Sequence, residues 1–149
     1  MKLWKRTLAS IALAVMAVHA RADTVEDAKV LLAEIEAEVK AKGFEAAAKE
    51  FNAGGKWRRG RMYVVMVDFK GHMHAHSINN KIVGKNMFEA LDATGKPFIQ
   101  EIIKSVASTG AAHVPMRWGN PVTQKIDDGA VLASRVAGQD IYVGAVYFK

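Results

Sequence analysis

Apolar residues recur along the chain with two different periods, and the change from one to the other organises it. After Val25 the apolar positions Ala28, Leu31, Leu32, Ile35 and Val39 follow at steps of three and four. That spacing gathers them on one stripe of an amphipathic helix. Glu34, Glu36, Glu38, Lys40 and Lys42 occupy much of the remaining surface. Asp23 or Thr24 can cap the helix, and Glu26 and Asp27 fall in its first turn, where the helix dipole favours acids. Gly43 breaks it, and a shorter helix from Phe44 to Phe51 runs on to the Gly54-Gly55 pair.

Past Gly60 the period becomes two. Met62 to Phe69 (MYVVMVDF) is β-branched and aromatic and is followed by Lys70-Gly71. It predicts a strand entering a tight turn, with His72 to Ser77 as the return strand. Asn79 to Gly95 carries neither period and is rich in Asn, Gly, Lys and Asp. Connectors of that length in small domains are often functional. Phe98 to Ala107 (FIQEIIKSVA) reads as a helix, with Pro97 near its first position and Gly110 beyond its end. Three more strands follow, His113 to Trp118, Val131 to Val136 and Ile141 to Phe148. Strands joined mostly by hairpins form an antiparallel sheet. The expected class is therefore α+β, a long N-terminal helix packed on a five-stranded antiparallel sheet with the helices segregated to one face.

The first 22 residues stand apart from this pattern. Lys2, Lys5 and Arg6 precede a nearly unbroken apolar run from Leu8 to Val18, and Ala20-Arg21-Ala22 supplies the small-x-small cleavage rule. The run is far shorter than the roughly 20 residues a spanning helix needs. Residues 1–22 thus read as a secretory signal peptide cleaved after Ala22, and 23–149 as one exported, periplasmic domain that does not span the membrane. Four bases and no acid leave with that segment, so the formal charge falls from +6 to +2. Nucleic-acid binding, which needs a real basic field, loses its support. The surviving cluster of Lys56, Arg58, Arg59 and Arg61 around Trp57 reads as a solvated rim. With no cysteine there is no disulfide, thiolate metal site or covalent haem attachment.

Four stretches then fall in a familiar order: Tyr63 to Gly71, a strand into an aspartate-x-x-glycine turn; Ala75-His76-Ser77 with Val83-Gly84-Lys85-Asn86; Asp92-Ala93-Thr94-Gly95-Lys96-Pro97-Phe98; and Arg117-Trp118-Gly119-Asn120-Pro121 with Ile141-Tyr142-Val143-Gly144. Together they make the chain resemble the single Cache domain, the PAS-like extracytoplasmic sensor of bacterial chemoreceptors and sensor kinases. The resemblance implies the PAS-like fold just described, with a small organic acid or other metabolite held between sheet and connector. It also implies a freestanding sensor that reports to a signalling partner on another chain, a membrane sensor protein. Two positions depart from the family: Met116 stands where a tyrosine is common, and Asp127-Asp128-Gly129 where a lysine is common.

Candidate ligand-binding residues follow from these stretches. His76 occupies the place of the family's strand-two histidine, and its imidazole can donate to a carboxylate. Arg117 offers a bidentate fork, yet by strand alternation it points away from Met116 and Trp118, so only one of these sets faces the pocket. Tyr63 and Trp118 are candidate pocket walls with polar handles. His72, His74 and His76 alternate along one strand, so period two would project all three from one face. With sulfur from Met73, Met87 or Met116 they form an alternative, metal-binding reading. A third reading is an interaction module that takes no ligand. No nucleophile elbow, phosphate-cradling glycine loop or His-Glu-x-x-His helix is present. The expected role is binding, without catalysis or cofactor.

Overall fold

In the computed structural model, which describes residues 23–149, Thr24 caps the first helix, α1 (Val25–Lys42). The Thr24 hydroxyl accepts from the Asp27 amide at 3.1 Å, while the Asp27 carboxylate accepts from the Thr24 amide at 2.9 Å. This reciprocal pair satisfies two amides that an uncapped helix leaves unpaired. Gly43 ends α1 with φ +81°, and α2 (Phe44–Ala53) follows at once. The signal-peptide reading concerns residues 1–22, which lie outside the described residues. Among the described residues no helix is long and apolar enough to cross a membrane.

The strands are β1 (Arg58–Arg59), β2 (Met62–Asp68), β3 (Met73–His76), β4 (Ala111–Gly119), β5 (Ile126–Arg135) and β6 (Ile141–Phe148), with α3 (Phe98–Thr109) before β4. Every pairing is antiparallel. β1 and β3 share one edge of β2, and the sheet continues through β6 and β5 to β4. The five expected strands are all present, and the two-residue β1 adds a sixth. No sequence period could announce so short a strand. It brings Arg59 into contact with α1. Arg59 pairs with Glu34, Arg61 lies 3.6 Å from Asp23, and the Lys56 ammonium sits 4.7 Å from the Trp57 ring centroid. Of the cluster read as a solvated rim, Lys56 and Arg58 are exposed, while Arg59 and Arg61 are half-buried and link the sheet to α1 and to the residue before its cap.

The helices do not share one face, and here the sequence expectation is corrected. α1 and α2 pack on one side through Leu31, Ile35 and Phe51, while α3 and the connector cover the other through Phe98, Ile102 and Val106. The reason lies in the two central strands. Residues 63–67 of β2 and 142–148 of β6 are buried throughout, so both faces carry apolar side chains that need cover. β4, at the edge, alternates buried and exposed positions instead.

Both sheet edges are closed. On β4 the Arg117 amide donates to Asp92 at 2.9 Å, its carbonyl accepts from the Ala93 amide, and the Pro115 carbonyl accepts from Lys96. On β3 the Asn52 side chain, reaching from α2, donates to the His74 carbonyl at 3.1 Å and accepts from the His76 amide at 3.0 Å. Met73 exchanges backbone bonds with Gly84 and Lys85. Such caps leave little free backbone on which another strand could pair.

Candidate ligand-binding site

The site lies on the α3 face, and a bulge in β3 shapes it. Val65 pairs with His76 and Met66 with Ala75, but Val67 pairs with Met73, so His74 is extra to the register. The two residue steps from Met73 to Ala75 oppose the single step from Val67 to Met66, and the alternation slips. Met73 and His76 consequently share the inner α3 face, while His74 turns outward against Phe44 and Asp68. This corrects the expectation that His72, His74 and His76 share one face. His74 Nε2 lies 2.8 Å and His72 Nδ1 3.5 Å from Asp68 Oδ2. Burial opposes ionisation of Asp68, but the bonds from the His74 ring and the His72 and Lys70 amides outweigh it and lower its pKa. Among the described residues no three His, Asp or Glu side chains are grouped to hold a metal ion.

His76 is oriented twice over. Asn52 holds its backbone, and its Nδ1 accepts from the amides of Asn79 at 2.9 Å and Ile78 at 3.3 Å. An Nδ1 that accepts cannot carry the ring proton, so in the neutral imidazole Nε2 is the donor. Burial lowers the His76 pKa to about 4, which keeps the ring neutral at pH 7. Histidines that ligate metals ordinarily donate through their second ring nitrogen. His76 accepts there, so it is built to donate a hydrogen bond through Nε2 and is ill suited to ligate a metal. Its ring stacks on Tyr63 at 4.6 Å.

Two connected chambers open from this pair. The inner one encloses about 30 Å³ among Val65, Val67, Met73, Ile99, Ile102 and their neighbours, Met87 and Met116 included. The outer one, about 650 Å³, lies between the connector and the β4–β5 turn and is rimmed by Asn79, Lys81, Asn120 and Lys125. Tyr63, His76, Ile82, Met87 and Trp118 line both and so form the neck. Trp118 packs on Phe98 with ring centroids 5.0 Å apart. Neither Lys81 nor Lys125 is ion-paired among the described residues.

Of the residues proposed from sequence, Tyr63, His76, Met116 and Trp118 converge on the inner chamber. Arg117 does not. It projects from the opposite face of β4, exposed, with Nε 3.1 Å from Asp128. The alternation of the strand dictates this outcome, and it removes the bidentate fork from the pocket. Gly129 leaves no room for the family's lysine either, since a Cβ there would stand 2.5 Å from the Tyr147 carbonyl oxygen.

Three participants escaped sequence reasoning. Asn52 sits on a helix 24 residues before the histidine it positions, and nothing local marks it. Tyr142 lines the inner chamber, and its buried hydroxyl has no hydrogen-bond partner among the described residues. Strand alternation through Tyr142, Gly144, Val146 and Phe148 was the available signal, because the last members of that set share a buried face with Tyr63. Asp92, in the connector, is 6% exposed. Burial would raise its carboxyl, yet the Thr94 hydroxyl and the amides of Arg117, Lys96 and Thr94 hold it well below the usual carboxylate range. That carboxylate fixes the connector to β4 at the border of the site.

Comparison with known proteins agrees with this architecture. A methyl-accepting chemotaxis protein from Vibrio parahaemolyticus superposes with a TM-score of 0.69 at 17% identity, over 83% of this chain and 87% of that one. A Cache chemosensory domain solved to explain carboxylic acid recognition gives 0.62 at 21% identity, over 83% and 87%. The periplasmic sensor domain of a chemotaxis protein gives 0.62 at 21% identity, over 83% and 89%. At these identities the likeness shows the fold. No curated protein matches the sequence. The family model described as Single Cache domain 2 matches residues 2–148, and the chain belongs to that family.

Proposed function

We propose that this chain is an exported sensor domain that binds a small organic acid in the two-chambered pocket and reports its occupancy to a signalling partner. The observation that carries the reading is His76, a neutral imidazole whose Nδ1 is occupied by two amides and whose Nε2–H serves the neck of an otherwise apolar cavity. Tyr63, beside it, has a hydroxyl with no hydrogen bond among the described residues and lines both chambers. Two adjacent neutral donors suit the oxygens of a carboxylate at the neck. Lys81 and Lys125 add a favourable field from the outer rim without the desolvation cost of a buried cation. Met116 and Trp118 complete the walls.

The family supports a sensor in place of an enzyme, and the Cache domain solved with carboxylic acid recognition in view makes that ligand class a reasonable one for this fold. Residues 1–22 fit export as a cleaved signal peptide, which would put the sensor in the periplasm. Binding acts by population shift: the ligand stabilises one arrangement of the connector over the sheet, and the partner reads that arrangement.

The test is a thermal-shift and calorimetric screen of residues 23–149 with short carboxylates, amino acids, purines and divalent metals. A ligand at 100 times its Kd adds about 2.7 kcal/mol of stability, several degrees in a domain of this size. A carboxylate that raises the Tm of the wild type and fails to do so in Tyr63→Phe/His76→Asn supports the reading. Stabilisation by metals alone, reversed by a chelator, would exclude it.

A further inference from the structure

Two of the large apolar side chains that stand more than half exposed, Val122 (59%) and Ile126 (51%), belong to the segment that joins β4 to β5. That turn closes on the Asn120 and Asp127 side chains, so its geometry needs neither aliphatic residue, and polar ones are the usual choice there. Scattered exposed aliphatics are ordinary. These two are not scattered, because three bases surround them. Lys125 stands between Val122 and Ile126 in the turn, and Lys81 lies across the mouth of the outer chamber. Arg58 pairs with Tyr63, so its side chain leaves the sheet on the Tyr63 face. Its stem and the Ser77 carbonyl both press on Gly54, which places it next to the rim that begins at Ile78.

None of these three bases is ion-paired among the described residues. Of the acids at this end of the sheet, Asp128 is matched by Arg117 and Asp23 by Arg61. Asp127 alone then stands against the three bases of the mouth, a surplus of two positive charges. The start of the domain lies at the same end, since the Asp23 amide bonds the Phe148 carbonyl, and Phe148 pairs with Gly129. The apolar run Leu8 to Val18 precedes Asp23 by only a few residues, and a segment so close in sequence meets a bilayer from the side on which the patch lies. We propose that this rim docks on the surface of a bilayer containing anionic phospholipid, the three bases lying at the headgroups and Val122 and Ile126 entering the interface. An acidic protein would satisfy the bases, but exposed aliphatic side chains flanking a lysine suit a fluid interface, which needs no matching pocket. The proposal is independent of what the pocket binds.

The test is co-sedimentation of residues 23–149, which contain the whole sheet and both its covering layers and leave out the apolar run, with sucrose-loaded vesicles. Vesicles of phosphatidylcholine alone are compared with phosphatidylcholine carrying about 40% phosphatidylglycerol. The surplus of two bases makes binding to the anionic vesicles about thirtyfold tighter at low salt, and high salt removes most of the difference. Lys81→Gln/Lys125→Gln brings binding down to the level of neutral vesicles, and Val122→Ser/Ile126→Ser weakens it about fivefold. Lys40→Gln/Lys104→Gln removes two exposed bases away from the mouth and leaves binding within about twofold. All six substituted side chains are exposed, so the fold is not at stake. Equal binding to the two kinds of vesicle, or the same loss in the Lys40/Lys104 variant as in the Lys81/Lys125 one, overturns the proposal. A loss with the lysines and none with the aliphatic pair points to an acidic protein as the occupant and overturns it too.

Discussion

His76 makes the stability of this domain depend on pH in a way that can be worked out beforehand. Its pKa is about 4 in the folded chain, against an ordinary value of 6.5. Between those values the unfolded chain binds a proton that the folded chain refuses, so stability rises with pH across this window. The contribution is fully present above pH 6.5 and is lost as pH falls towards 4. At pH 5 the linkage amounts to about 2 kcal/mol, and at pH 4 to about 3 kcal/mol. For a domain of intermediate size, 2 kcal/mol corresponds to a fall in Tm of roughly 6–10 °C. Asp68 and Asp92, whose carboxyls are lowered, add their own acid sensitivity only as pH drops to the usual carboxylate range and below. The isolating variant is His76→Asn, whose Oδ1 can accept from the Ile78 and Asn79 amides as Nδ1 does, but which takes up no proton. Thermal and urea unfolding from pH 7.5 to 5.0 should show the wild type losing about 2 kcal/mol more than the variant. Parallel curves for the two proteins would refute the buried, neutral imidazole, and with it the assignment of Nε2 as a donor.

Three further outcomes are expected. Gly71→Ala places a Cβ 2.7 Å from the Phe88 amide nitrogen at a φ of +92°, and should cost about 2–4 kcal/mol in urea unfolding. Asn52→Ala leaves the His74 carbonyl and the His76 amide unpaired. It should lower stability by about 1–3 kcal/mol and weaken any acid that binds the wild type, because His76 loses its backbone anchor. Asp92→Asn should destabilise by about 1–3 kcal/mol at pH 7. Since a lowered carboxyl contributes in full above its unfolded pKa near 3.8 and loses that contribution as pH falls towards its folded pKa, the gap between variant and wild type should begin to close only below about pH 4.

The fold was legible because its elements are locally consistent. The α1 stripe, the Thr24 cap, the β-branched run of β2 and the apolar β6 each agree with the structure they adopt. Helix placement was legible but missed, because a strand buried on both faces and a strand buried on one differ only in whether alternation is broken. In β2 the run Tyr63 to Val67 already breaks it, so the two-layer cover could have been inferred. The site was half legible. Tyr63, His76 and Trp118 could be named because each sits in a stretch with a family likeness, and Met116 because it departs from one. The bulge at His74 could not. One extra residue changes which histidines share a face, and nothing in His72-Met73-His74-Ala75-His76 distinguishes a regular strand from a bulged one. Asn52 acts through tertiary proximity, which no periodicity encodes, whereas the alternation of β6 could have placed Tyr142 on the Tyr63 face.

The connector decides how a ligand reaches the inner chamber. It is bonded to the sheet at three places: the Met87 amide to the Gly71 carbonyl, the Gly84 and Lys85 backbone to Met73, and the Asp92 and Ala93 region to Arg117. Gln100 of α3 also holds the Phe88 carbonyl at 3.0 Å. Lifting the connector would break all of these together, so the chamber is not opened that way. The rims of the outer chamber are attached differently. Residues 78–83 bond among themselves, to His76 Nδ1 and, through Asn80, to Asn52. The β4–β5 turn closes on its own Asn120 and Asp127. Among the described residues no hydrogen bond crosses from one rim to the other. Entry is therefore through the outer chamber and the neck between His76 and Trp118. A molecule lodged there would supply the cross-links that the empty rims lack, which is the differential contact a population shift requires.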